Sequence, residues 1–206
     1  MDGVVIDSEV LFNNADTAFF RYHEKVYNRE EVVLVLAGMD LRQGTALLKE
    51  KYGLAGTVDE LLALRQKLLE EEYRTHLQPV QGFTQFHADL NSAGFRSCIA
   101  TAANEFLMGI VMDMLKLEQY FGQHIYKIAD VGYKSKPDPA IYTYAAEKMQ
   151  TDPAKCIVIE DAPKGIQAAK NAGMFCIGIT TTFAPDRLSE ADLVVDSFDQ
   201  IDLQKL

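Results

Sequence analysis

Two adjacent acids, Glu160 and Asp161, directly follow the apolar run "CIVI", and Pro163 follows them. Carboxylates at the end of a buried strand are costly unless they are paired or bound to a metal. Mg2+ suits such a place, because it takes one or two carboxylates, keeps waters and bridges to a substrate phosphate. The alternative is a helix N-cap, with Asp161 favoured by the helix dipole; the metal is the preferred reading. Three other places carry weaker signals. After "SCIA" come Thr101, Ala102, Ala103 and Asn104, a hydroxyl and free amides at a helix start that form a phosphate cradle. Taken alone, Thr101 or Asn104 reads more simply as a helix cap. In "KSKPDPAIY" the prolines fix the entry to a helix and would hold the Lys136 ammonium in place. A solvated surface lysine is the commoner outcome for any one Lys. Finally, "MDGVVIDSEV" places Asp2 and Gly3 as if a buried strand were turning into a site, although an ordinary charged terminus fits Asp2 alone.

The composition limits what such residues can serve. Lys and Arg number 20 against 30 Asp and Glu, a formal net charge of −10. That balance argues against broad nucleic-acid binding, which needs cations to displace phosphate counterions. It also means that an anionic substrate needs a local cation or metal. Cys98, Cys156 and Cys176 each sit inside a short apolar run and read as free thiols of a reducing compartment. No signal peptide is evident, and no apolar stretch approaches the ~20 residues that span a bilayer. A cytoplasmic protein without membrane contact is expected, as a monomer or weak homodimer.

The elements that must position these residues fall into two blocks. From Ser8 to about His76 the pattern is helical. Leu11, Ala15, Ala18, Phe19 and Tyr22 share one helix face, "REEVVLVLAG" favours a helix stopped by Gly38, and Thr57 with Glu60 forms a capping-box pattern. The run Glu70 to Glu72 reads as the solvated face of that last helix. "QPVQG" is a connector. After it, a helix over 83–92, a strand in "FRSCIATAA" and a helix over 105–117 are followed by the apolar runs "HIYKIAD", "KCIVIED", "MFCIGIT" and "ADLVVD". Strands alternating with helices predict an α/β fold with an open parallel sheet, whose ligands bind beyond the carboxyl ends of the strands.

"MDGVVIDSE", "IATAAN", "KPDP" and "VIEDAPKGIQAAKNAGM", in that order, resemble the four motifs of the haloacid dehalogenase superfamily, in its helical-cap branch of small-molecule phosphatases and β-phosphoglucomutases. The resemblance implies a Rossmann-like parallel sheet core over 1–8 and 80–206, with an inserted helical cap over 9–79. It implies a Mg2+-dependent phosphatase of a small phosphorylated metabolite, acting through an aspartyl-phosphate. On that resemblance Asp2 is the general acid/base, with its backbone carbonyl on the metal. Thr101, with Ala102 and Asn104, holds the phosphate, Lys136 stabilises charge, and Glu160 and Asp161 bind Mg2+. The family's nucleophile, another aspartate, is expected immediately before Met1, on a mid-sheet strand whose absence would leave its neighbours unpaired. The start of the functional polypeptide is accordingly expected upstream. Arg42, in "GMDLRQG", is a candidate anion contact or a solvent-facing helix residue. Mutases of this branch carry a cap histidine where "SEVLFNNAD" has Phe12, which disfavours a mutase; His23, further on, is expected at the surface. A phosphomutase and a catalytically inactive phosphate- or partner-binding relative stay as alternatives.

Overall fold

The computed structural model describes residues 1–36, 41–103 and 105–206, with Leu34 described by its backbone alone. The expected helix stop at Gly38 and the phosphate contact at Asn104 lie outside the described residues. Four helices come first: α1 (Ser8–Tyr22), α2 (Arg29–Leu36), α3 (Leu41–Tyr52) and α4 (Val58–His76). Thr57 caps α4 with the reciprocal hydrogen bonds of a capping box: its hydroxyl accepts from the Glu60 N–H, and the Glu60 carboxylate accepts from the Thr57 N–H. These helices bury Phe19, Phe20, Val32, Leu48, Leu54 and Leu61 in a core of their own. Within it Arg65 donates to Asp16 at 2.7 Å and to the Thr45 hydroxyl at 3.1 Å, with Phe19 beneath the guanidinium. The acidic run stays near the surface, Glu70 paired with Arg74 and Glu72 accepting from Asn14. His23 is half-buried at the edge of this core: its ring lies 4.8 Å from that of Phe19, and its Nε2 is buried without a partner. The cause is the helix period, which sets residue 23 one turn beyond the buried Phe19.

Beyond α5 (Phe83–Ser92), strands and helices alternate: β1 (Ile99–Thr101), α6 (Glu105–Leu115), the single turn α7 (Glu118–Phe121), β2 (Ile125–Lys127), α8 (Ala140–Lys148), β3 (Ile157–Glu160), α9 (Pro163–Asn171), β4 (Phe175–Ile179) and β5 (Leu193–Val195). Helix α6 ends two residues earlier than expected, where Lys116 turns to φ +50. All strand pairs are parallel, as expected, but the sheet comes in two pieces, β1–β2 and β3–β4–β5. Alternation along each strand sends Ile99, Ile177, Ile179 and Val195 to the core shared with α5 and α6. The opposite residues, Val158 and Cys176, pack with Tyr142, Ile166 and Ala169 of α8 and α9.

A mostly apolar cleft of about 400 Å3 separates the two pieces. Ile99 and Ala100 of β1 line one side, residues 157–160 of β3 the other, and Val5, Phe86 and Phe198 lie along it. Among the described residues, neither β1 nor β3 has a strand partner on the side facing the cleft. No described helix is long and apolar enough to cross a membrane, and all three cysteines are free.

Candidate active site

Glu160 closes β3. Because it stands two residues after Val158, it points to the same α8/α9 side and is buried there. Its Oε1 accepts two short hydrogen bonds, from the Lys136 ammonium and from the Tyr142 hydroxyl. Gly165, in the first turn of α9, leaves room for this carboxylate: a Cβ there would come within 2.1 Å of Glu160 Cδ. Burial opposes the charge on Glu160. The Lys136 ammonium foremost, with the two hydrogen bonds, holds the carboxyl below the usual range.

Asp161, the next residue, faces the other way, toward the opening loop. Gly3 lies directly over it at φ +65, where a Cβ would sit 2.0 Å from Asp161 Oδ2 and 2.7 Å from the Thr182 hydroxyl. The Thr181 hydroxyl donates to the Gly3 carbonyl in a short hydrogen bond, and Thr182 hydrogen-bonds to Asp161. The loop over Met1–Ile6 is itself closed, with the Gly3 N–H on the Ile6 carbonyl at 2.8 Å and the Val5 N–H on the Met1 carbonyl at 2.7 Å. Burial, reinforced by the charge of Glu160, pushes Asp161 up to about 6.

This raised value has a consequence for stability. A carboxyl whose folded pKa exceeds its unfolded value adds stability while protonated, and that stability is lost as pH rises through the folded value. Without metal, the wild-type chain is therefore expected to lose stability relative to Asp161→Asn between about pH 4 and pH 7, by on the order of 2 kcal/mol. Paired thermal melts across that range measure the difference. A difference flat with pH contradicts the burial argument.

The other predicted residues are placed as follows. Thr101 ends β1 fully buried, and its hydroxyl accepts the Ala103 N–H at 3.0 Å, which leaves its own proton free to donate. Both alternatives for Thr101 are thus compatible, since it shapes the turn into α6 and keeps a donor. Ala102 is exposed at that turn. Asp2 is half-buried in the closed loop, and its charge, after burial, raises the pKa of the buried Tyr73 phenol. Arg42 lies elsewhere: it pairs with Asp59 at 2.7 Å, both side chains well exposed. Asp59 and Tyr73 are 14 residues apart on α4, about 21 Å along the axis, so Arg42 sits toward the end of α4 remote from Asp2. The structure gathers Gly3, Lys136, Glu160 and Asp161, with Asp2 in the adjoining loop, and does not bring Arg42 to them. No cluster of three or more potential ligands of the His, Cys, Asp and Glu types is formed among the described residues.

Four contributors are absent from the sequence-level expectations: Tyr73, Tyr142, Thr181 and Thr182. The two threonines come just after Thr180, the first residue beyond β4, so the polar run at that strand end points to them. Tyr142 lies within the "KPDPAIY" stretch, where only the lysine and prolines stand out. Tyr73 has no local signal, because only the packing of α4 on the opening loop makes it relevant.

The chain matches the haloacid dehalogenase-like hydrolases over residues 1–173. It is 44% identical over 202 residues to validoxylamine A 7'-phosphate phosphatase of Streptomyces hygroscopicus subsp. limoneus, covering 98% of this chain and 92% of that one. It is 26% identical over 208 residues to hexitol phosphatase A of Escherichia coli (strain K12), covering 100% and 92%. Among solved structures, a conserved haloacid dehalogenase-like protein of unknown function from Agrobacterium tumefaciens str. C58 superposes with a TM-score of 0.78 at 25% identity, over 96% of this chain and 90% of that one.

Proposed function

The chain belongs to the haloacid dehalogenase-like hydrolases, among their phosphatases, and from that premise we propose that it hydrolyses a small phosphorylated carbohydrate through an aspartyl-phosphate. The observation that carries this reading is the buried Glu160–Asp161 pair at the end of β3, with Lys136 on one acid and Gly3 over the other. Relatives named for a 7'-phosphorylated validoxylamine and for hexitols support a polyhydroxylated substrate.

The donor set fits a divalent cation. Burial and Glu160 push Asp161 up to about 6, and a cation against that carboxyl removes the cost of ionising it. Asp161, Glu160 through its second oxygen and the Asp2 backbone carbonyl would hold Mg2+, which when bound offsets charge between nucleophile and phosphate. The Thr101 hydroxyl donates to a phosphate oxygen, and Lys136 neutralises charge on the transferring group. The Asp2 carboxyl gives its proton to the leaving oxygen and then takes one from the attacking water. The nucleophile is an aspartate directly before Met1, carried on a strand that runs through the cleft between β1 and β3 and pairs with both. Phe12, edge-on to Tyr73 at 6.2 Å, occupies the position where a mutase carries its cap histidine, which supports a hydrolase. The helices over 9–79 act as the cap. Free thiols support a reducing compartment, the cytoplasm.

The test is a turnover screen of the chain preceded by a short apolar strand ending in Asp, against sugar, hexitol, cyclitol and nucleoside monophosphates, with and without Mg2+. Phosphate release from the carbohydrate esters in Mg2+ alone is expected. Interconversion of glucose 1-phosphate and glucose 6-phosphate would establish the mutase instead, and phosphate binding without turnover of any ester would establish an inactive relative.

A further inference from the structure

Lys136 is the lysine that this site presents to an anion, and a lysine is poorly suited to a fixed position. Its ammonium rides on a flexible four-carbon stem that carries about 2 kcal/mol of rotamer entropy. In this chain the stem leaves a loop, directly before Pro137, rather than a helix or strand. The precision of the ammonium must therefore come from what surrounds it.

Two groups surround it. The first is Glu160 Oε1, which accepts from Nζ. The second is Tyr142, whose ring lies under the same Nζ at 4.9 Å and whose hydroxyl donates to the same Glu160 oxygen. Phenol, carboxylate and ammonium thus close a triangle. The Lys136 side chain keeps 17% of its surface exposed, whereas the Glu160 side chain keeps 7% and Tyr142 only 6%. Lys136 is the member that reaches solvent, and Tyr142 stands behind it.

The position of Tyr142 in the fold adds a further point. It belongs to α8, which packs on β1 and β2, yet its hydroxyl reaches Glu160 at the end of β3, in the other piece of the sheet. The bond therefore ties the strand that ends in Glu160 to the piece carrying Thr101. The ring and the hydroxyl act on different partners, the ring face on the cation and the hydroxyl on the carboxylate.

We propose that Tyr142 is a positioning residue that fixes the Lys136 ammonium toward the phosphate, by holding the shared Glu160 oxygen with its hydroxyl and the cation with its ring. The consequence for phosphate rests on the function proposed above; the fixing of Lys136 does not.

Competitive amine acetylation of the full chain, read by mass spectrometry, separates the two. In the wild type Lys136 is expected to label slowly against the exposed Lys134. Tyr142→Phe keeps the ring and removes only the hydroxyl, and is expected to raise Lys136 labelling about three- to tenfold. Tyr142→Leu, which also removes the ring, is expected to raise it further. Lys170, in the last turn of α9 and paired with Asp192, is the control and stays unchanged in Tyr142→Phe. Inorganic phosphate affinity, measured by calorimetry with Mg2+ present, is expected to fall by a similar factor. Lys136 labelling unaltered in Tyr142→Phe, or raised together with that of Lys170, overturns the proposal. Raised Lys136 labelling in a chain whose wild type binds no phosphate upholds the positioning role and counts against the proposed function.

Discussion

Gly3→Ala is expected to abolish Mg2+ binding and to lower stability by about 2–5 kcal/mol. Two costs combine. At φ +65 an alanine carries about 1–2 kcal/mol of backbone strain. Its methyl would also stand 2.0 Å from Asp161 Oδ2, 2.4 Å from Asp161 Cγ and 2.7 Å from the Thr182 hydroxyl. None of these can yield freely, since Asp161 is held by Thr182 and the loop is tied down through the Gly3 carbonyl to Thr181. Overpacking of this kind costs a further ~1–3 kcal/mol. Relief requires the loop or Asp161 to move, and either motion disturbs the metal ligands proposed above, Asp161 and the Asp2 carbonyl. Gly94→Ala is the matched control, because Gly94 has φ +82 and no atom within 4 Å of its built Cβ. Magnesium titration calorimetry and thermal melts of both variants separate steric loss at the site from backbone strain. If both variants bind Mg2+ like the wild type, the proposed binding of the metal by Asp161 and the Asp2 carbonyl is wrong.

Arg65→Ala is expected to produce the largest loss of stability in the helical block. Arg65 and Asp16 keep only 2% and 9% of their side-chain surface, and Asp16 accepts from both Nε and Nη2 of the guanidinium. Burial raises the pKa of Asp16, and Arg65 opposes that rise. Deleting the cation leaves a carboxylate in the Phe19 core, a loss of about 3–5 kcal/mol. In a domain of this length that corresponds to a fall in Tm of roughly 10 °C. The sign of the pH dependence follows. Without Arg65 the Asp16 pKa rises further, so the folded state favours the protonated acid. The defect is then smallest near pH 4 and grows as pH rises. An apolar pair, Asp16→Leu with Arg65→Met, is expected to recover much of the loss, because a packed apolar pair needs no desolvation of charge. A single Arg65→Ala variant as stable as the wild type at pH 8 would show that Arg65 does not offset the cost of burying the Asp16 carboxylate.

The sequence makes the strand ends legible because β3 and β4 read as short continuous apolar runs between clear breaks. Four apolar residues, two acids and a proline define where β3 stops and where its chemistry begins. The capping box of α4 is equally local and forms as its residue types dictate. Other features depend on contacts made far along the chain. Gly3 and Asp161 are 158 residues apart, and nothing near either indicates that one covers the other. Tyr142 becomes relevant only because α8, packed on β1 and β2, leans across to β3. Arg42 shows the converse: its local motif suggests an anion contact, yet Asp59, 17 residues later, takes its guanidinium on the surface. The division of the sheet also follows from tertiary structure, since each strand reads correctly by itself and the cleft lies between β1 and β3.

The central claim is that this cleft and the acids beside it form a phosphatase site completed by an aspartate on an added strand. Its most direct measurement compares two chains that carry the same short apolar extension before Met1, one ending in Asp and the other in Asn. With a phosphorylated hexitol or cyclitol and Mg2+, the Asp form is expected to release phosphate and to trap an acid-stable aspartyl-phosphate in quenched turnover. The Asn form is expected to fold equally well and to do neither. Equal turnover by both forms, or a folded Asp form that hydrolyses no ester in the panel, would contradict the account.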